Sequence, residues 1–412
     1  MDLLRPIIKP YAWGSRHALA RLQGREEPSA GPEAELWMGA HPAGPAGLTR
    51  DGLTTTLERV VADAPERELG AACAGRFGGR LPFLLKVLAA EQPLSIQVHP
   101  DREQARAGFG ARRSGGADQG PYADDWPKPE LLYALTSFEV LAGFRSRDEA
   151  VAVLEGLGLA RLRRVTHILR DDDGGGSGSG SDGAGAAALG DALRTVLEWP
   201  RDDRAALVHA VVEASRRQAA LPGPHTAAYD AVARMAVHHP GDLGPVASLL
   251  LRHRVLEPGT ALFVPAGGLH SYIRGVGVEL MAASDNVLRA GLTTKEVDIP
   301  ELLRITDPAV PVPVVRPDPV PGSERTRVYR CPVEEFALYR VRLGERPEPV
   351  TARGPRIALC AEGTALLRGP GGQEVPLGPG GSCFLPDSDR DVTAEGEGTL
   401  FVAATGLSPG HR

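Results

Sequence analysis

Three short stretches carry the side chains best suited to chemistry: Ser95-Ile96-Gln97-Val98-His99-Pro100, Lys128-Pro129-Glu130, and Pro265-Ala266-Gly267-Gly268-Leu269-His270-Ser271-Tyr272. Gln97 and His99 are two apart, so on a strand, where side chains alternate, both point to one face. Glu130 and His270 complete a four-ligand set. Two imidazole nitrogens, a carboxylate and an amide oxygen suit a divalent ion such as zinc and leave a position open for water or substrate oxygens. That is the layout of a catalytic metal rather than a structural one.

The elements that must hold these residues read as β-structure interrupted by helices. The 36 prolines and 50 glycines predict many turns joining short strands. Leu256-Glu257-Pro258-Gly259 to Phe263-Val264-Pro265 recurs 121 residues later as Leu377-Gly378-Pro379-Gly380 to Phe384-Leu385-Pro386. Each copy reads as a Pro-Gly turn feeding a strand that stops at a proline, a hairpin unit of a double-sheet barrel. Two copies predict two barrels. His270 follows the first unit, whereas the equivalent offset after the second falls on Asp391, so the second barrel is expected to lack metal ligands.

From Ser146 to His239 the period changes to helical. Ser146-Arg147-Asp148-Glu149 is a capping box ahead of Ala150, Val151, Leu154 and Leu157. Further helical spacing follows at Leu189, Leu193, Val196 and Leu197, at Leu207, Val208, Val211 and Val212, and at Tyr229, Val232, Ala233 and Ala236. Residues 171–185, acidic and then Gly/Ser-rich, are expected to form a flexible loop. The predicted division is a metal-bearing barrel from 1–145 and 240–320, a helical insertion over 146–239, and a second barrel over 321–412.

With 412 residues the chain has room for two or three domains. A net charge of −6 disfavours nucleic-acid or anionic-membrane binding, both of which need a basic face. No stretch approaches the roughly 18 apolar residues of a membrane span, and Met1-Asp2-Leu3-Leu4-Arg5-Pro6 leads into no signal sequence, so a cytoplasmic protein is expected. Cys73, Cys331, Cys360 and Cys383 form no C-x-x-C pair and are expected to be reduced and buried. A monomer acting on a small molecule is the expectation.

Longer motifs add a resemblance. Pro10-Tyr11-Ala12-Trp13-Gly14, Glu35-Leu36-Trp37-Met38-Gly39-Ala40-His41-Pro42, Leu81 to Leu88, Leu94 to Asp101, Lys128-Pro129-Glu130 and the run Gly277 to Thr293 together resemble the type I mannose-6-phosphate isomerases, zinc enzymes of the cupin superfamily. The resemblance implies a mainly β fold with an α insertion: two cupin-like (jelly-roll) barrels plus a helical domain. It implies zinc on Gln97, His99, Glu130 and His270, with Arg289 as the motif arginine, and a sugar phosphate as substrate. Many relatives carry Asn-His before Lys-Pro-Glu, where this chain has Asp125-Trp126-Pro127-Lys128. That departure bears on the pocket rim and on strictness for mannose.

The implied reaction interconverts mannose 6-phosphate and fructose 6-phosphate through a cis-enediolate, whose oxyanion must be stabilised. Arg289 can hold that charge or a phosphate without becoming a proton source. Glu279, a metal-bound water and Lys128 are the candidate bases, and Glu279 could equally orient His270 or Arg289. Lys86, Lys128, Lys295 and Ser95 are candidates for the phosphate. Lys86 sits in an apolar run, where a lysine is costly unless paired. Tyr272 shares a strand face with His270 and could bound the sugar or simply pack, and Asp285 and Asn286 could bond sugar hydroxyls or brace Arg289. Tyr11, Trp13, Glu35, Trp37 and His41 form a polar-aromatic set, and His41 is excluded because a fifth protein ligand would close the open position. The rivals are an isomerase of another phosphorylated aldose, an iron or manganese oxidoreductase of the same fold, and a non-catalytic sugar-phosphate sensor.

Overall fold

Ile96 and Val98 are fully buried in one apolar layer with Leu141, Leu269 and the helix residues Val153, Leu193, Val211 and Val232. Alternation along the strand Ile96–Val98 therefore sends Gln97 to the opposite face, away from the helices. The helical layer thus sets the orientation of the chemistry. The computed structural model describes residues 1–114, 120–171 and 181–407.

The first barrel is organised by the strand His270–Ala282. Its first residues pair with Gln97 and with the strand Phe138–Phe144, and its second half runs between Phe83–Ala90 and Glu130–Ala134. The strand passes from one sheet to the other at Gly275. There φ is +146°, and a Cβ would sit 2.6 Å from the Phe138 ring, so only glycine fits. All strand pairs of this barrel are antiparallel, and Leu288–Gly291 lies beside Ile96–Val98.

The second barrel uses the same device. Arg356–Arg368 pairs with Ser382–Leu385 through its first four residues and with Glu374–Leu377 through its last four, with Thr393–Ala404 along its other side. This sheet also takes Asp318–Pro319 and the N-terminal strand Asp2–Leu3, which pairs with Cys383 and Phe384. Residues 2–3, expected in the first barrel, thus complete the second. A two-residue strand carries too little pattern to announce its partner.

The internal repeat corresponds to real turns, but its copies are not hairpins. Leu251–Leu256 pairs with Phe138–Phe144, and Ala261–Val264 pairs with Glu130–Ala134. In the second copy, Glu374–Leu377 and Ser382–Leu385 pair with opposite ends of one strand. Each Pro-Gly turn is a corner that carries the chain between sheets, with Gly259 at φ +93° and Gly380 at φ +74°.

The predicted capping box is present: Ser146 Oγ accepts from the Glu149 N–H, and Glu149 bonds back to Ser146. Helices follow over Arg147–Gly156, Arg163–Arg170, Ser181–Leu197, Arg201–Ala219 and Thr226–His238. Of the loop expected at 171–185, residues 172–180 lie outside the described residues. Residues 181–185 are helical, a correction explained by the alanines that follow and by Leu189 and Leu193 packing into the core. Helices at Leu57–Asp63, Pro65–Leu69, Ala71–Phe77 and Arg102–Ser114 were not anticipated, because each is too short or too polar to show a clear period.

One apolar cluster joins the barrels: Leu131, Tyr133, Phe263 and Leu280 of the first pack with Tyr329, Phe336, Ile357 and Phe401 of the second. Tyr133 meets Phe401 edge-on at 4.8 Å and Tyr329 at 5.5 Å between ring centroids. Among the described residues no helix is long and apolar enough to cross a membrane. The four cysteines are free, and three of them are buried.

Candidate metal centre and the adjoining cleft

His99, Glu130 and His270 converge at the sheet junction, with one ligand atom from each within 4.8 Å of the others. Glu130 Oε1 lies 3.1 Å from His99 Nε2, and Oε2 lies 3.4 Å from His270 Nε2. The other ring nitrogens are fixed by the main chain. His99 Nδ1 donates to the Asn286 carbonyl at 2.8 Å, and His270 Nδ1 donates to the Gly268 carbonyl at 3.1 Å. A carbonyl only accepts, so each Nδ1 carries a proton, and each Nε2 faces the carboxylate as the available ligand atom.

Lone pairs facing a carboxylate repel unless a cation sits between them. His99 Nε2 is buried and, among the described residues, has no hydrogen-bond partner. Burial, helped by the nearby Lys128 ammonium, pulls the His99 imidazole down to about 4, so it is neutral near pH 7. Burial works against the charge on Glu130, but Lys128 and the histidines outweigh it and hold this carboxyl well below its usual range. The neutral His99 imidazole and the ionised Glu130 carboxylate are in the protonation states a divalent metal requires.

Gln97 is the cross-strand partner of His270. Its Nε2 donates to Ser95 Oγ at 3.0 Å, which leaves the amide oxygen as the available ligand atom. Ser95, expected near the phosphate, is thus engaged in orienting Gln97. Lys128 Nζ donates to Glu130 Oε1 at 2.8 Å, and the Tyr272 hydroxyl donates to Oε2 at 3.0 Å. Burial first and Glu130 second keep the Tyr272 phenol protonated. Tyr272, which the sequence offered as a wall to the sugar or as packing, braces the Glu130 carboxylate.

Lys86 is paired, as a lysine in an apolar run must be. It is buried, with Nζ 3.0 Å from Glu279 Oε2 and 3.6 Å from Glu35 Oε2, and lies over the Trp37 ring. Burial would lower this ammonium, but Glu279, Glu35 and Glu130 together hold it above its usual value. Burial raises the Glu279 carboxyl, and Glu130 and Glu35 add to the rise against the pull of Lys86.

Beside the metal cluster opens a cleft of about 1070 Å³ lined by Tyr11, Asp285, Leu288, Arg289 and Lys295, among others. Arg289 is the strand partner of Gln97, so the cleft and the metal ligands meet across one strand pair. Among the described residues nothing forms an ion pair or hydrogen bond with the Arg289 guanidinium, and burial lowers its pKa. Of the expected substrate residues the structure brings Arg289, Asp285 and Lys295 to this cleft. Lys86, Glu279, Lys128 and Tyr272 are buried and linked by ion pairs and hydrogen bonds to Glu35, Glu130 and one another. His41, set aside in the sequence, has Nε2 3.6 Å from Asp285 Oδ1.

Residues 1–147 match the family described as phosphomannose isomerase type I, catalytic domain, and residues 326–405 match the mannose-6-phosphate isomerase cupin domain. The chain is 36% identical to the mannose-6-phosphate isomerase of Escherichia coli (strain K12), over 97% of this chain and 98% of that one. The chain belongs to the type I phosphomannose isomerase family. The family spans kingdoms: the Bos taurus mannose-6-phosphate isomerase is 32% identical over 92% of each chain. A crystal structure of a phosphomannose isomerase mutant from Salmonella typhimurium superposes with a TM-score of 0.88 at 33% identity, covering 99% of this chain and all of that one. A zinc-bound mannose 6-phosphate isomerase superposes at 0.86, also 33% identical, over 98% of this chain and 99% of that one. Among phosphomannose isomerases this chain therefore has its relatives' fold over nearly its whole length.

The sequence reading did not find Asp124 or the role of the Asn286 carbonyl. Asn286 was singled out only as a possible sugar or arginine contact. Its signal was weak, since an amide beside a metal-site motif has several uses that only the fold separates.

Proposed function

We propose that this protein is a zinc-dependent aldose–ketose isomerase that interconverts D-mannose 6-phosphate and D-fructose 6-phosphate. The observation that carries the reading is the convergence of His99 Nε2 and His270 Nε2 on the ionised Glu130, an arrangement that a bound cation makes favourable. Gln97, His99, Glu130 and His270 would hold the ion, and family membership supports zinc and this substrate. When bound, zinc polarises sugar oxygens as a Lewis acid and needs no redox change to do so.

The chain's own residues supply the remaining demands. Arg289, partly buried and unpaired in the cleft, accepts a phosphate or developing oxyanion charge without giving up a proton. Lys295 adds a cation at the exposed rim, and Asp285 offers a carboxylate to sugar hydroxyls. Moving a proton between C2 and C1 requires a base, and the site offers Glu279 and Lys128. Lys86 steadies Glu279, while Tyr272 and Lys128 fix the carboxylate of Glu130.

Action as a monomer in the cytoplasm belongs to the same proposal. Its support is the net charge of −6 and the scatter of exposed apolar side chains such as Leu53, Leu221 and Val255.

The test is a coupled assay for fructose 6-phosphate formed from mannose 6-phosphate, on protein stripped by chelator and then reloaded with zinc. Activity lost on stripping and regained with zinc is expected. Inactivity in every metal state would overturn the reading, and a panel of other phosphorylated aldoses would then separate a different isomerase from a sensor.

A further inference from the structure

Asn286 is fully buried and uses nearly all its polar atoms to clasp another segment. Its Oδ1 accepts from the Ala123 N–H at 2.7 Å, and its Nδ2 donates to the carbonyls of Asp124 at 2.9 Å and Trp126 at 2.8 Å. Its own carbonyl accepts from His99 Nδ1. Asp124 answers from the other side. Its Oδ1 accepts from the Trp126 N–H and the Ser284 hydroxyl, and its Oδ2 accepts from the Asp285 N–H at 2.8 Å.

The segment so clasped runs directly into Lys128-Pro129-Glu130, and prolines at 127 and 129 stiffen that path. One knot of hydrogen bonds therefore connects three things: the tautomer of His99, the approach to Glu130, and the backbone of Asp285 at the cleft. We propose that Asn286 and Asp124 are positioning residues that set the metal-ligand geometry and, through Asp285, couple it to the substrate cleft. The inference rests on the metal reading above, and its cleft half also on the sugar proposed there. Asn286 sets the metal half and Asp124 the cleft half.

Two variants test it, each with a readout that fold stability alone does not move. Asn286→Ala keeps the carbonyl on His99 but releases residues 123–126. Zinc affinity, measured by competition with a chromophoric chelator, is expected to fall about ten- to hundredfold, the usual effect of losing a group that orients a metal ligand. The melting-temperature rise on adding zinc should shrink accordingly. Equal loss of stability with and without zinc, at unchanged zinc affinity, would show a merely structural clasp and overturn the metal half.

Asp124→Asn keeps one accepting oxygen, so the fold is retained, but sets an NH₂ group against the Asp285 N–H. Zinc content should stay stoichiometric while KM for mannose 6-phosphate rises. An unchanged KM would overturn the cleft half. Zinc titration needs no substrate, so a wrong sugar assignment leaves the first arm intact. Parent protein that binds no zinc would instead sink the functional proposal itself.

Discussion

Lys86 and Glu279 face each other across antiparallel strands, Nζ 3.0 Å from Oε2, with both side chains almost fully buried. A single ammonium here serves two carboxylates, since Glu35 lies 3.6 Å away. Removing one partner of a buried pair costs more than the pair contributes, because the remaining charge has no solvent. Lys86→Met is expected to destabilise the protein by about 3–5 kcal/mol in urea denaturation. Combining it with Glu279→Gln should recover part of that loss. Additive losses in the double variant would mean the two groups are not coupled.

Removing the metal should be visible without any substrate. Zinc at about a thousandfold its dissociation constant stabilises a folded site by about 4 kcal/mol, so chelator should lower the melting temperature and zinc restore it. His270→Ala should abolish that response along with bound metal and turnover. Stoichiometric zinc in the variant would show the ligand set to be wrong.

Arg289→Ala should lower kcat by at least about a hundredfold, comparable to loss of an oxyanion donor. Zinc content should be unchanged, because Arg289 makes no contact with a ligand side chain among the described residues and reaches Gln97 only through strand pairing. If kcat were retained while KM rose, the guanidinium would be a phosphate anchor only.

Part of the acid sensitivity should trace to Glu139, outside the proposed ligand set. Glu139 accepts from Arg234 at 2.6 Å and lies 2.6 Å from His253. Burial opposes its charge, but the His253 and Arg234 bonds pull its carboxyl from 4.5 down to about 2. A carboxyl lowered on folding adds stability that is fully present above its unfolded value and is lost as pH falls through the folded one. Stability should therefore decline between about pH 4.5 and 2, and Glu139→Gln should flatten that limb in acid-denaturation curves. An unchanged acid limb in the variant would place the sensitivity elsewhere.

The four proposed ligands were legible because ligand type and spacing are local properties: Gln97 and His99 share a face by alternation alone. The capping box at Ser146 and the corner glycines at 259 and 380 were legible for the same reason. Asp2–Leu3 joining the second barrel was not, because strand pairing over more than 370 residues leaves no trace in a two-residue pattern.

The sequence by itself determined the proposed donor set, the two-barrel plan with its helical layer, and the family. Tertiary structure decided how the charged side chains are divided. From the sequence Lys86 and Tyr272 could each be a substrate contact or a structural residue; the fold sets them beside Glu279 and Glu130 and leaves Arg289 and Lys295 facing the cleft. The reason is physical: a buried charge is stable only beside a counter-charge, and which counter-charge it meets depends on strand register between distant segments.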